Sequence, residues 1–243
     1  MTNLQTLIAA VAAAAAVGTI GTTDASAQTR IPDDQAIRNV TMVQNPLPSL
    51  AEDVAATTRA LNRQDGPAIL VGHSWGGTVI TEAGIHPKVA GLVYVSALSP
   101  DAGETTAQQY DGFTSPPEFV LDIGEDGYGY VAPDSFQAGF AHDVSDADAA
   151  FMRDAQVPIN MEVFGTVLEN AAWRVKPSWA VIATEDKAFA QEMLHHMADR
   201  IGAKVTEVSA SHAVFMTQPT VVAATIDEAA REHSGQELRM HPS

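Results

Sequence analysis

Residues 69–77 read Ile69-Leu70-Val71-Gly72-His73-Ser74-Trp75-Gly76-Gly77, and this stretch decides the fold. It begins as an apolar, β-branched strand and ends in residues that open a helix, with a glycine two positions before and after Ser74. A serine on such a sharp turn has a strained backbone, and side chains at Gly72 and Gly76 would clash across the turn. The helix N-terminus stabilises a developing oxyanion. We therefore predict that Ser74 is a nucleophile and that the Trp75 N–H donates to the oxyanion; a structural glycine turn is the alternative.

Other short, apolar, β-branched runs predict further buried strands. The predicted strands are residues 40–44, 68–72, 90–96, 179–184 and 205–208. Helical spacing is found in residues 50–62, behind an N-capping Ser49, in the segment after Ser74, and in residues 188–201 and 220–233. This alternation predicts an α/β fold whose mostly parallel sheet has helices on both faces.

Residues 105–176 lack this alternation and contain 10 of the 15 aromatic residues. We predict that they form a cap inserted into a core made of residues 28–104 and 177–243. The cap aromatics indicate an apolar pocket, or else they only pack the cap onto the sheet. The candidate substrate-binding residues are Tyr110, Phe113, Phe119, Tyr128 and Tyr130, with Phe136 and Phe140 beside them. The cap also has 12 acidic and 3 basic residues, which disfavours anionic ligands.

The net charge and the amino-terminal residues disfavour two classes of partner, nucleic acids and membranes. The net charge is −17, which disfavours binding to a nucleic acid backbone. Residues 7–20 form an apolar run shorter than a bilayer-spanning helix, so we expect no stable membrane anchor.

Ala25-Ser26-Ala27 fits a signal peptidase groove. We predict that residues 1–27 are a signal peptide and that the protein is exported to the periplasm or medium; a buried alanine-rich helix is the alternative.

A serine nucleophile needs a histidine base and an orienting carboxylate. Two later predicted strands run directly into such residues: Asp186 follows residues 179–184, and His212 follows residues 205–208. Because the carboxyl ends of parallel strands form the sites of open α/β sheets, Ser74, Asp186 and His212 can converge. Glu185 is the local competitor for the acid position. Asp101 and Glu104, after the strand at residues 90–96, are more distant ones.

Two other patterns do not indicate a metal or a nucleotide. Asp143, Asp146 and Asp148 lack the glycine and the terminal glutamate of a calcium loop. Glycines 124, 127 and 129 do not follow a strand in the order of a dinucleotide fingerprint. We predict a helix cap with an acidic turn for the first pattern and a loop for the second.

From about residue 39 to 231 the sequence resembles the α/β-hydrolase superfamily, in particular exported bacterial esterases related to plant methylesterases and hydroxynitrile-lyase-like enzymes. The segments that carry the resemblance are NPLPSLAEDVAAT, GPAILVGHSWGG, YVSALSPDAGE, QVPIN, KPSWAVIATEDKAF and GAKVTEVSASHAVFMTQP. The resemblance implies that Ser74, Asp186 and His212 are nucleophile, acid and base. It also implies that no metal or organic cofactor takes part.

The sequence departs from the family pattern in its amino-terminal region. Family members carry a strand that ends in a histidine-glycine oxyanion loop, and no histidine-glycine pair occurs here. Residues 28–38 are too few for a strand, a loop and a helix, so we expect the strand beside the nucleophile strand to be missing. Residues 40–44 could take its position. Asn45 or Leu47 would then supply the second oxyanion donor, because Pro46 and Pro48 have no N–H.

The sequence thus predicts a cofactor-independent serine hydrolase that cleaves small neutral carboxylic esters through an acyl-enzyme. Turnover is expected to be weak, because loss of one oxyanion donor costs about a hundred- to a thousand-fold. Lyase or perhydrolase chemistry on the same fold is one alternative, and a non-catalytic binding protein is another. The sequence determines neither the physiological ester nor the oligomeric state.

Overall fold

The structure, a computed structural model, describes residues 6–11 and 40–240. Its strands are β1 (Thr6–Val11), β2 (Val40–Val43), β3 (Ala68–Ser74), β4 (Val89–Ala97), β5 (Leu121–Ile123), β6 (Tyr128–Val131), β7 (Ile159–Asn160), β8 (Ser178–Ala183) and β9 (Lys204–Val208). Six of them form a parallel sheet in the order β2-β1-β3-β4-β8-β9. The carboxyl ends of β3, β8 and β9 therefore meet at one edge of the sheet.

The helices include the four that the sequence predicted, the last of which ends at residue 240 instead of 233. They are α1 (Leu50–Asn62), α2 (Gly76–Ala83), α3 (Phe136–Phe140), α4 (Asp146–Asp154), α5 (Gln191–Arg200), α6 (Val214–Thr217) and α7 (Pro219–Met240). The Ser49 hydroxyl accepts a hydrogen bond from the Glu52 N–H and caps α1. Helix α5 begins three residues later than predicted, since the N–H groups of Ala188 and Phe189 donate to Asp186 instead.

Alternate residues of the central strands pack into two hydrophobic layers. Leu70, Leu92 and Ile182 face one layer together with α1, α2 and α5, and the other layer is covered by α7. Val71 and Val181 point into the second layer, as expected for strands buried on both faces. The predicted α/β class, with a parallel sheet between two helical layers, is confirmed.

The cap segment, residues 105–176, contains a small antiparallel sheet in the order β5-β6-β7, the helices α3 and α4, and three short 3₁₀ helices. Its own hydrophobic cluster includes Phe136, Phe140 and Met152, and this cluster packs on Ala213 beside the predicted base. Residues of this segment therefore contact the loop after β9, at the carboxyl edge of the large sheet.

The strand beside β3 differs from our expectation. Residues 6–11, within the segment predicted as a signal peptide, form β1 and pair with both β2 and β3. Residues 40–44, which could have taken the place beside the nucleophile strand, do not do so, because β2 lies one position further out, at the edge of the sheet. The predicted cleavage site at residues 25–27 lies outside the described residues, as do residues 28–38.

Among the described residues, no helix combines the length and the apolar character needed to cross a membrane.

Candidate active site

The turn between β3 and α2 holds Ser74 in the left-handed region, with φ of 52°. This conformation is costly for a residue with a side chain, and it is typical of a strained functional turn. A Cβ atom on Gly72 would lie 2.4 Å from the Gly76 carbonyl oxygen, and one on Gly77 would lie 2.1 Å from the Leu98 oxygen. Only hydrogen fits at these positions, so the two glycines allow the backbone to make the turn.

The loops after β8 and β9 bring the predicted acid and base into contact. Asp186 Oδ2 lies 2.7 Å from His212 Nδ1, and both side chains are fully buried. Asp186 Oδ1 accepts hydrogen bonds from the backbone N–H groups of Ala188 at 2.8 Å and Phe189 at 3.0 Å. Because a carboxylate oxygen accepts, Nδ1 carries the imidazole proton and Nε2 keeps its lone pair. The contact with Asp186 therefore holds the imidazole of His212 with Nε2 on the side away from the carboxylate.

His212 is enclosed by aromatic rings and touches the residue next to Ser74. The rings of Phe140 and Phe189 pack edge-on against the imidazole, at centroid distances of 4.9 and 5.0 Å. His73 Nε2 lies 2.9 Å from the His212 carbonyl oxygen, and the two imidazole rings are 4.5 Å apart. Within the described part of the chain, His212 Nε2 is buried without a hydrogen-bond partner. This nitrogen is the atom that could accept the Ser74 proton.

The three other candidate acids, Asp101, Glu104 and Glu185, contact residues other than His212. Asp101 pairs with Arg174, which lowers the pKa of Asp101 below its ordinary value. Glu104 accepts two hydrogen bonds of 2.9 Å from Arg200. Glu185 accepts from the Ser209 hydroxyl at the surface. Of the four acids, Asp186 is the one that contacts His212.

The loop before α1 contacts the nucleophile turn through a buried carboxylate that sequence reasoning missed. Asp53 is fully buried and accepts from the Leu47 N–H at 2.9 Å and the Trp75 indole N–H at 2.8 Å. Burial raises the pKa of Asp53, and the hydrogen bonds from Trp75 and Leu47 act in the opposite direction. The only available signal was an acid on the buried stripe of α1, which also carries Leu50 and Leu61.

This carboxylate corrects the expectation for the second oxyanion donor. The Leu47 N–H points at Asp53, so it is not available to an oxyanion. Asn45 is not among the residues that line the cavity above Ser74. Trp75 has helical backbone angles at the start of α2, where the helix does not use the N–H groups. The backbone N–H of Trp75 therefore remains the candidate donor to an oxyanion.

A cavity of about 480 Å³ opens above Ser74 between the sheet and the cap. It is lined by Leu47, Ser74, Trp75, Leu98, Ala107, Tyr110, Ser115, Phe119, Leu121, Gly129, Tyr130, Val131, Phe140, Gln156, Val157, Ile159, Met161, Phe164, Ala188 and Phe189. None of these side chains is charged. Leu121, Tyr130 and Val157 are also partly exposed, so these cap residues form the mouth.

Three of the five predicted substrate-binding aromatics line this cavity, namely Tyr110, Phe119 and Tyr130. Phe113 does not, because it packs on His196 and the main core. Tyr128 does not either, since it lies at the start of β6, paired with Asn160. Burial, and then the negative charge of Asp186, raise the pKa of Tyr110, which keeps its phenol protonated.

Within the described residues, no group of three or more histidine, cysteine, aspartate or glutamate side chains is arranged to hold a metal ion. Asp143 accepts hydrogen bonds from the Ser211 N–H and the Thr217 hydroxyl. Asp148 accepts a hydrogen bond from the Ser145 hydroxyl at the start of α4.

Comparisons with known proteins agree with this fold. A pyrethroid hydrolase from Sphingobium faniae JZ-2 is 20% identical, with a TM-score of 0.69 over 93% of this chain and 97% of its own. Polyneuridine aldehyde esterase is 16% identical, with a TM-score of 0.72 over 92% and 98%. An extracellular alpha/beta-hydrolase from a Paenibacillus species is 17% identical, with a TM-score of 0.68 over 93% and 98%.

A search of curated proteins finds no match to this sequence. A family model described as "Alpha/beta hydrolase family" matches residues 12–225, which is most of the chain. The strained serine turn, the parallel sheet and this match agree, and the chain belongs to the alpha/beta hydrolase family.

Proposed function

We propose that this protein is a serine hydrolase that cleaves small, neutral carboxylic esters through an acyl-enzyme. The observation that carries the proposal is the buried pair of Asp186 and His212, 2.7 Å apart, behind a strained Ser74 that lines an uncharged cavity. A base held in one tautomer beside a serine turn is the arrangement that acyl transfer requires.

The first half of the reaction acylates Ser74. His212 Nε2 takes the Ser74 proton as Oγ attacks the ester carbonyl, and Asp186 stabilises the imidazolium through Nδ1. The Trp75 N–H donates to the negatively charged oxygen of the tetrahedral intermediate. When that intermediate collapses, the C–O bond to the alcohol breaks and His212 returns the proton to the leaving alcohol. In the second half, water replaces the alcohol and the acid is released by the same steps.

The cavity supports neutral esters as substrates. Its lining has no charged side chain, so a carboxylate inside it would lose its hydration without gaining a partner. Asp122 lies opposite Tyr130 in the β5-β6 pair, which places an acid beside a residue of the mouth. The names of the structural neighbours, a pyrethroid hydrolase, polyneuridine aldehyde esterase and a methylesterase, also support ester substrates.

The test is active-site labelling followed by hydrolysis assays. The wild-type protein is expected to react with a fluorophosphonate probe at Ser74, located by mass spectrometry, and to hydrolyse p-nitrophenyl acetate and butyrate. Ser74→Ala is expected to lose both reactions, whereas Ser115→Ala, which removes another cavity hydroxyl, is expected to keep them. Folded wild-type protein that is not labelled would instead support the binding-protein alternative. Labelling without hydrolysis would support lyase or perhydrolase chemistry.

We also propose that residues 1–27 direct export and are removed. The small residues at 25–27 support this, as does the likeness to an extracellular hydrolase. Removal would also delete β1, which lies between β2 and β3, so β2 would lose its partner in the sheet and would have to pair anew. Mass spectrometry of protein recovered from the periplasm and medium should find Gln28 as the first residue; an amino terminus that retains Thr6–Val11 would contradict cleavage.

A further inference from the structure

Four consecutive cap residues, 140–143, contact both loops that carry the acid and base. We call them the clamp segment. Phe140 is the last residue of α3 and also lines the cavity above Ser74, and the other three residues follow that helix directly. Their contacts are made by a backbone carbonyl, an imidazole and a carboxylate, so the segment holds the loops by hydrogen bonds as well as by packing.

The residues on either side of His212 are both anchored to this segment. The Ser211 N–H donates to Asp143 Oδ2 at 2.9 Å, and the Ala213 N–H donates to the Phe140 carbonyl oxygen at 3.0 Å. The same Asp143 oxygen accepts from the Thr217 hydroxyl at 2.9 Å. The loop that presents His212 is therefore fixed on both sides of the imidazole.

The loop that carries Asp186 is held by His142, another residue of the clamp segment. His142 Nε2 lies 2.9 Å from the Glu185 carbonyl oxygen, one residue before Asp186. In addition, the Phe140 ring packs edge-on against the His212 imidazole. One short piece of the cap thus fixes the acid loop and the base loop with respect to each other.

We propose that the clamp segment positions His212 against Asp186 through Asp143, which accepts the Ser211 N–H and the Thr217 hydroxyl. Asp143 is a positioning residue, because it contacts neither the substrate cavity nor the imidazole. The proposal rests on the proposed function only for its kinetic readout. A shift of about 1 Å in a catalytic group can cost about a hundredfold in rate, so loss of this anchor reduces turnover without changing the cavity lining.

The test compares Asp143→Ala with Asp143→Asn. Asparagine keeps an acceptor oxygen for Ser211 and Thr217, whereas alanine removes both hydrogen bonds. For p-nitrophenyl butyrate, Asp143→Ala is expected to lose about a hundredfold in kcat with little change in KM. Asp143→Asn is expected to retain most of the activity. Asp134→Ala removes one exposed cap charge outside the clamp segment and serves as the matched control, with kcat unchanged.

Two readouts separate positioning from a purely structural role. A looser contact with Asp186 stabilises the imidazolium less, so the acidic limb of kcat is expected to move to lower pH in Asp143→Ala. The second readout does not depend on turnover: the downfield NMR signal of the proton shared by His212 Nδ1 and Asp186 should weaken in Asp143→Ala and persist in Asp143→Asn. If Asp143→Ala does not fold, Thr217→Val, which removes one of the two bonds, is measured in the same way.

Equal loss in the alanine and asparagine variants would overturn the proposal, as would an alanine variant with a wild-type pH profile and NMR signal. A wild-type protein without esterase activity would overturn the proposed function alone, since the NMR comparison would still decide whether Asp143 positions His212.

Discussion

His212 Nδ1 lies 2.7 Å from Asp186 Oδ2, and the other oxygen of that carboxylate is occupied by two backbone N–H groups. The carboxylate therefore cannot rotate without losing hydrogen bonds, and its orientation fixes the tautomer of the imidazole. Substitutions that change one oxygen of Asp186 can therefore test whether this carboxylate sets the tautomer of His212.

Asp186→Asn should fold and be almost inactive. The amide oxygen is expected to replace Oδ1 opposite the N–H groups of Ala188 and Phe189, so that the amide NH₂ faces Nδ1. This forces the imidazole proton onto Nε2, and kcat should fall by about 10⁴-fold. Glu185→Gln is the matched control, because Glu185 contacts Ser209 and not His212. Comparable losses in both variants would contradict the assignment of the acid.

Gly72→Ala should destabilise the protein strongly. The new methyl group would lie 2.4 Å from the Gly76 carbonyl oxygen, a backbone atom of the turn that cannot move away without disrupting α2. We expect a loss of about 3 kcal/mol in the free energy of unfolding, measured in urea, together with loss of activity. Gly66→Ala is the control, because a Cβ atom there meets no atom within 4 Å. If both variants unfold at the same urea concentration, the turn has room for a methyl group at position 72, which would contradict the steric argument.

Ser74→Gly should be more stable than Ser74→Ala, although both lose the nucleophile. At φ of 52° an alanine keeps the strain of a left-handed backbone, whereas glycine adopts this conformation freely. The difference should be about 1 kcal/mol, read from thermal or urea unfolding of the two variants. An alanine variant that equals or exceeds the glycine variant in stability would show that the turn is unstrained.

A neutral ester should react faster than its anionic analogue. Comparison of p-nitrophenyl butyrate with mono-p-nitrophenyl succinate should give a kcat/KM ratio of at least about 100, because the cavity lining offers no partner for a carboxylate. Raising the ionic strength from about 0.01 M to about 0.5 M screens the charge of Asp122 beside the mouth and should recover only part of the difference. Equal rates at low salt would contradict an uncharged binding site.

The stability that Asp143 contributes should disappear in acid. Partial burial raises its pKa, but hydrogen bonds from Ser211 and Thr217 outweigh this and leave the pKa below the ordinary value of 3.8. A carboxyl group with a lowered pKa stabilises the fold above the unfolded pKa, and this contribution is lost as the pH falls through the folded pKa. The difference in unfolding free energy between wild type and Asp143→Ala should thus be constant from pH 5 to 7 and shrink below about pH 3.8. A difference that grows in acid would contradict the sign.

Much of the site could be predicted from sequence because its signals are local. The glycine spacing around Ser74 follows from backbone sterics within one turn, and the structure shows the clash that the spacing avoids. Asp186 and His212 each follow an apolar strand, and parallel strands bring their carboxyl ends to one edge. Glu185 satisfied the same local pattern, so the choice between the two acids required the geometry of the loop.

Other features depend on contacts between residues that are far apart in sequence. Residues 6–11 include the β-branched Thr6, Ile8 and Val11, which favour strands, but they lie in an apolar run that also fits a signal peptide, and pairing with β2 and β3 is what places them in the sheet. The aromatic composition of the cap does not distinguish Tyr110, which lines the cavity, from Phe113, which packs on the core.

The sequence by itself determined the family's α/β fold, the strained turn at Ser74 and the order of the candidate acid and base, because each depends on steric or hydrophobic patterns within a few residues. Only the tertiary structure decided which acid contacts His212, that Asp53 binds both Leu47 and Trp75, and that Asp143 anchors the loop of the base. These are hydrogen bonds between segments that folding brings together, and a hydrogen bond depends on the distance and direction between atoms that spacing along the chain does not specify.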